Sequence, residues 1–239
     1  MLRLLPPAAT DPPPLTDDEL AALYAYPEPL DRPYVRMNFV ASADGAATAG
    51  GVSKGLSSPP DRQVFVVLRE LAEVILVGAG TARAENYRGA RRTSGVPPRI
   101  AVVTASAQLD PAAPLFTDTS VPPLILTPET APEANRRRLA EAGAEVLTLP
   151  GDRVAPAHVL AAFAERGLHR VLCEGGPHLF GELLGADAVD ELCLTVAPLL
   201  AGGGIDRIAM GPDHPPRALR LASALTEDDV LLLRYLRDR

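Results

Sequence analysis

The chain has 239 residues, 47% of them apolar and 22% charged, and a formal net charge of −7. That balance excludes a general affinity for nucleic acid or acidic membranes, so any anion must be held by a local set of donors. No stretch approaches the roughly 18 uninterrupted apolar residues of a membrane span. The opening MLRLLPPAATDPPP is too brief an apolar run for a signal peptide. A cytoplasmic protein is expected.

In chain order, residues 1–30 are proline-rich and read as an arm laid over the surface, with Thr16 and Glu19 of TDDEL forming a capping box for a short helix. Residues 31–239 read as one domain. Tyr34 to Ser42 alternates as a strand, ADGAATAGGVSKGLSS is a glycine- and serine-rich loop, and PPDRQVFVVLREL is a helix opened by proline. Short apolar runs follow at EVILVG, RIAVVT, PLILT, AEVLTL and HRVLC, with helices at PEANRRRLAEAG and PAHVLAAFAER. This alternation predicts an α/β protein with a mainly parallel sheet between two helical layers. DELCLTVAPLL, RALRLASAL and VLLLRYLR have no long helices between them and predict antiparallel strands at the end of the chain, with TEDD as a hairpin turn.

Cys173 and Cys193 each sit in an apolar run and are expected to be buried thiols. The four histidines, His158, His169, His178 and His214, lack zinc-site spacing, and there is no CxxC and no Walker lysine, so no metal is expected. GVSKG matches the G-x-S-x-G elbow of hydrolases, but GAATAG before it is no strand, which rejects Ser53 as a nucleophile.

In VLCEGGPHLFGELL a strand ends at Glu174, Gly175 and Gly176 turn, and Pro177 opens a helix whose first N–H groups suit a phosphate. The plainer alternative is that the glycines only let the helix pack close to the sheet. VGAGTARAE is a second such turn, with Gly78, Gly80 and Thr81, although Arg83 stands where a dinucleotide fingerprint has its third glycine. Two glycine turns at parallel strand ends favour a ligand there. A carboxylate beside an anion cradle suits a ligand with two parts, so Glu174 is expected to accept paired N–H donors of an aminopyrimidine or pterin, unless it merely caps the helix. Arg88, Arg91 and Arg92 in NYRGARR, together with Arg69, suit a substrate phosphate, the alternative being a solvated basic loop.

RPYVRMNFVASADGAAT, GLSSPPDRQVFVVLREL, VILVGAGTARAENY, VLCEGGPHLFGELL and VDELCLTVAPLLAGGG, in this order, resemble the reductase domain of bacterial riboflavin biosynthesis over about residues 32–239. The arm further resembles that of stand-alone actinobacterial pyrimidine reductase family proteins. The resemblance implies a dihydrofolate-reductase-like fold and NADPH reduction of a ribosylamino-pyrimidine 5′-phosphate, with hydride going to C1 of the open-chain sugar. It implies that Gly175, Gly176, Pro177, His178 and Leu179 cradle the cofactor pyrophosphate and that Gly80, Thr81 and Glu85 assist. Ala41 and Gly55 then lie near the nicotinamide and Ser106 near the adenosine. For the substrate it implies Ser53, Arg69, Arg92 and Glu174, and Asp44 is expected to fix its loop. A homodimer is implied as well. Two departures stand out: Glu85-Asn86 replaces an Asp-Asp-like pair, and the H-x-E and P-C-x-x-C signature of the deaminase often fused to this reductase is missing. The rival readings are a reductase of dihydrofolate or another pterin, and a non-catalytic dinucleotide-binding protein.

Overall fold

The computed structural model describes residues 1–5, 14–204 and 206–238. Among the described residues ten strands form one sheet: β1 (Leu2–Leu5), β2 (Tyr34–Ser42), β3 (Val74–Gly78), β4 (Arg99–Val103), β5 (Leu124–Pro128), β6 (Glu145–Leu149), β7 (Arg170–Cys173), β8 (Glu191–Ala197), β9 (Arg220–Glu227) and β10 (Val230–Leu236). Their order is β1-β9-β10-β8-β2-β7-β3-β4-β5-β6. The pairings from β8 through β6 are parallel, and those joining β10 to β8, β9 to β10 and β1 to β9 are antiparallel. The mixed, mostly parallel sheet with antiparallel closing strands is thus present as expected.

Seven helices accompany it among the described residues: α1 (Asp17–Leu23), α2 (Pro59–Leu71), α3 (Ala79–Ala84), α4 (Pro114–Thr117), α5 (Glu133–Glu141), α6 (Pro156–Ala164) and α7 (Pro177–Gly185). In β3, Ile75 and Val77 enter one core cluster with Leu20 of α1, Val64 and Leu68 of α2, and Leu139 of α5. The alternate residues Val74 and Leu76 enter a second cluster with Val159 and Phe163 of α6 and Phe180 and Leu183 of α7. A strand buried on both faces has to be apolar throughout, which is why these runs do not alternate. Helices therefore cover both faces.

Local chemistry sets several boundaries. The Thr16 hydroxyl accepts from the Glu19 N–H at 3.3 Å while the Glu19 carboxylate accepts from the Thr16 N–H at 2.9 Å, completing the expected capping box. Ser58 caps α2 ahead of its two prolines. The TEDD turn is a two-residue connection in which Asp228 and Asp229 both take positive φ, 50° and 62°, the backbone twist that suits a tight hairpin.

The arm departs from the reading that it only lies on the surface. Leu2 pairs with Thr226 as β1 extends the sheet edge, and Leu20, Tyr24 and Tyr26 are buried. Its central prolines, in residues 6–13, lie outside the described residues. The arm also seals an ionic knot under the antiparallel half. Glu191 is fully buried and meets Arg36 Nε at 2.7 Å and Arg234 Nε at 2.8 Å, while the Tyr34 hydroxyl donates to it at 3.0 Å. Arg36 lies 4.0 Å over the Tyr26 ring, and Arg234 donates to the Leu23 carbonyl at 2.6 Å. Burial pushes the Glu191 pKa up, but the two guanidiniums outweigh it and the carboxyl stays below its usual range.

Candidate active site

The strand order reverses around β7, which returns after β6 to lie between β2 and β3. Ligands of open α/β sheets bind at such a switch point, beyond the carboxyl ends of the strands. A cavity of about 850 Å³ opens there, bordered by both Thr81 and Glu174.

One side is a main-chain cradle. Gly175 takes a φ of +95°, and a Cβ on it would come within 2.9 Å of the Phe39 ring; a Cβ on Gly176 would overlap the Thr81 hydroxyl. The Gly175–Gly176 peptide is cis. Only glycines fit here, and they let the chain pass against β3, where the Gly78 N–H donates to the Gly175 carbonyl at 2.7 Å. Gly176 is the N-cap of α7 and supplies no side-chain cap, Pro177 has no N–H to satisfy, and His178 and Leu179 of the first turn line the cavity. The α7 start is also fixed from behind. The Met210 N–H donates to the Pro177 carbonyl at 3.0 Å, and Gly181 crosses Met210 so closely that a Cβ on it would overlap the Met210 carbonyl.

The other side is ionic. Arg69, in the last turn of α2, donates to Glu174 through Nε at 2.7 Å and Nη2 at 2.6 Å, and the Tyr87 hydroxyl donates to the same carboxylate at 2.6 Å. The guanidinium lies 4.3 Å over the Phe65 ring. Burial works against the charge of Arg69, yet the Glu174 carboxylate and its hydrogen bonds leave the pKa above the ordinary arginine value. Burial, then the Glu174 charge, raises Tyr87 well above a normal phenol, so it is a donor at neutral pH. A carboxylate has about four acceptor positions, and three are taken.

That arrangement corrects the expectation of a free Glu174 accepting paired ligand donors, because Arg69 already holds the bidentate position. The expected arginine cluster is only partly at the cavity: Arg69 and Arg88 line it, and Arg91 and Arg92 do not. Arg88 and Arg91 pair with Asp118 at 3.3 and 2.9 Å, a carboxylate that lies distant in sequence. Arg92 does not line the cavity; it donates to the carbonyls of Glu70, Ala72 and Val96 and closes the end of α2. Among the other expected residues, Ser53, Arg69, Gly80, Thr81, Glu85, Glu174, Gly176, Pro177, His178 and Leu179 line the cavity. Ala41, Gly55, Ser106 and Gly175 do not: Ala41 is buried at the end of β2, Gly55 packs on Ala49, and the Ser106 carbonyl accepts from Asn135.

Asp44 accepts from the Ser42 hydroxyl and from the N–H groups of Ala201 and Gly202 at 3.1 and 2.8 Å, so it ties its turn to the 201–202 strip. The sequence reading missed Asn38, Lys54, Phe65 and Tyr87, which also line the cavity. Asn38 carried a usable signal, an amide between the apolar residues Met37 and Phe39 of the strand, and Lys54 is the one lysine in the chain.

Fold and site define an open α/β protein with a cavity at the sheet's switch point, between a main-chain glycine turn and an ion-paired carboxylate. The chain belongs to the RibD C-terminal domain family, whose profile matches residues 33–233. It is 33% identical over 189 residues to the riboflavin biosynthesis protein RibD of Bacillus amyloliquefaciens, covering 78% of this chain and 51% of that one, so it spans about half the length of this relative. It is 31% identical over 198 residues to the 2,5-diamino-6-ribosylamino-4(3H)-pyrimidinone 5′-phosphate reductase of Methanothermobacter thermautotrophicus, covering 80% of this chain and 90% of that one. A crystal structure of a pyrimidine reductase-like protein from Corynebacterium diphtheriae superposes with a TM-score of 0.79 at 26% identity, covering 87% and 92% of the two chains.

Proposed function

We propose that the chain is a cytoplasmic, NADPH-dependent reductase that converts a ribosylamino-pyrimidine 5′-phosphate to its ribitylamino product in riboflavin biosynthesis. One observation carries the reading: a single cavity is bordered by the glycine cradle with Thr81 and by the Arg69–Glu174 pair. The residues fit a dinucleotide. The uncapped first turn of α7, at His178 and Leu179, would hold the pyrophosphate, with Thr81 beside it, and the apolar wall of Phe39 and Val40 would take the nicotinamide. NADPH when bound supplies the hydride that reaches C1 of the open-chain sugar.

The protein's own part is placement and the exclusion of water. Glu174 retains one acceptor position for a ring N–H, while Arg69, Lys54 and Arg62 border the same space and offer positive charge to a phosphate. The Phe65 ring lies against the Arg69 guanidinium and offers it a cation–π contact. A homodimer is part of the proposal: Leu2, Leu4, Leu221 and Leu231 are 36–52% exposed on the adjoining strands β1, β9 and β10, an apolar face suited to a second copy.

The test is titration with NADP⁺ followed by turnover of phosphorylated and dephosphorylated aminopyrimidines and of dihydropterins. Arg69→Ala should raise KM roughly tenfold or more for the phosphorylated pyrimidine only, whereas Arg92→Ala should lower stability and leave KM in place. Preferred turnover of a dihydropterin, or NADP⁺ binding without turnover of any candidate, would replace the reading with one of its rivals.

A further inference from the structure

Glu85 stands at the C-cap of α3 and borders the cavity. Its position allows a role besides any contact with a dinucleotide. A carboxylate only accepts hydrogen bonds, so it offers a pyrophosphate nothing but repulsion. The structure gives its Oε1 a different partner: the Ser53 N–H donates to it at 2.7 Å, across 32 residues of sequence. Ser53 opens the 3-10 turn Ser53–Gly55, whose N-cap residue Val52 supplies no side-chain cap, so this N–H has no local acceptor.

The loop that Glu85 reaches is built on glycines and short-range bonds. Gly50 and Gly51 take φ values of 66° and 83°, and the loop's internal bonds are the short-range ones of Ala49 with Val52 and of Leu56 and Ser57 with the Ser53 carbonyl. Its other anchors include Leu56, buried at 2% exposure, the Ser57 hydroxyl, which donates to Asp61 at 2.7 Å, and the Ala47 N–H on the Asp206 carbonyl at 2.9 Å. Glu85 supplies the side-chain tie between this loop and the α3 wall. Ser53 and Lys54, which the loop carries, line the same cavity.

We propose that Glu85 is a positioning residue, a latch whose oxygen holds the 49–57 loop against α3 and so sets Ser53 and Lys54 over the substrate side of the cavity. What the latch needs is an oxygen at that reach, more than a negative charge. Aspartate is one methylene shorter, retracts the oxygen and breaks the bond. Glutamine keeps length and acceptor while removing the charge. A role that needs the negative charge and the latch role therefore rank the variants in opposite orders.

The experiment compares Glu85→Gln, Glu85→Asp and Glu85→Ala in the full chain. Amide hydrogen exchange at Ser53, Leu56 and Ser57 should speed up roughly tenfold in the Asp and Ala variants and less than about threefold in Gln. KM for the phosphorylated pyrimidine should follow the same order, with kcat and the Kd of NADPH moving less. Exchange or KM in which Asp resembles wild type and Gln resembles Ala would overturn the latch, as would equal effects in all three variants or none in any. If the Ala variant fails to fold, the Gln–Asp pair decides alone. The kinetic arm rests on the reductase reading, but the exchange arm does not. A wild type that turns over no pyrimidine would sink that reading and leave the latch to be judged by exchange.

Discussion

Two glutamates in this molecule are pinned by arginine and tyrosine, one in each half of the sheet. Glu191, under the antiparallel strands, holds Arg36 and Arg234 and receives the Tyr34 hydroxyl. Glu174, at the end of β7, holds Arg69 and receives the Tyr87 hydroxyl. The chemistry is nearly the same, and access separates them. Arg36 is 0% and Arg234 14% exposed and neither lines the cavity, while Arg69 is 20% exposed and borders it. A sealed knot can only specify how the strands meet. A knot with one arm at a cavity can trade partners with a ligand, because the charge it gives up is met again by the charge that arrives.

The largest expected effect breaks the sealed knot. Glu191→Ala leaves the fully buried Arg36 guanidinium, and the mostly buried one of Arg234, without their carboxylate and should cost about 3–5 kcal/mol, read from denaturant midpoints. Glu174→Ala should cost less than half as much, since Arg69 keeps contact with the cavity; equal losses would erase the distinction drawn here. Next comes Tyr87→Phe, which removes one donor from Glu174 and leaves Arg69 in place. KM for the pyrimidine should rise up to roughly tenfold with a stability change under about 1 kcal/mol, and a change confined to stability would make Tyr87 purely structural.

The smallest effect concerns a carboxylate outside both knots. The Ser42 hydroxyl first, and then the N–H groups of Ala201 and Gly202, hold the Asp44 pKa at about 2, against an ordinary 3.8. A depressed pKa favours the ionised form in the folded state, so its contribution is complete above pH 3.8 and fades as pH falls through about 2. The stability gap between wild type and Asp44→Asn should thus be flat near neutrality and shrink over that window. A gap that persisted at pH 2 would mean that charge plays no part in holding the turn.

Where local signals decide, the sequence was readable. The strand Tyr34–Ser42 has the limits that its pattern predicts, the Thr16–Glu19 box caps α1, and the two aspartates of TEDD make the last hairpin. The glycine cradle was legible for the same reason, since a turn between strand and helix is spelled within a few residues. Partners set by the tertiary fold were hidden. Arg69 and Glu174 are 105 residues apart, so nothing near Glu174 shows that its bidentate position is filled. Arg92 sits in a run of arginines that looks phosphate-ready, yet the end of α2 folds back beside it and offers bare carbonyls. MLRLL is too short and too close to prolines to announce an edge strand whose partner, β9, lies at the far end of the chain.

The glycine crossing of α7 over Met210 has a reach of its own. With no side chain between the two backbones, the helix and the 206–211 strip pack directly against each other, and Asp206 on that strip borders the cavity. A change that lengthens or tilts that strip would therefore be felt at the amides of the first helical turn. Loop grafting intended to widen the pocket from this side would disturb the cradle before it admitted a larger guest.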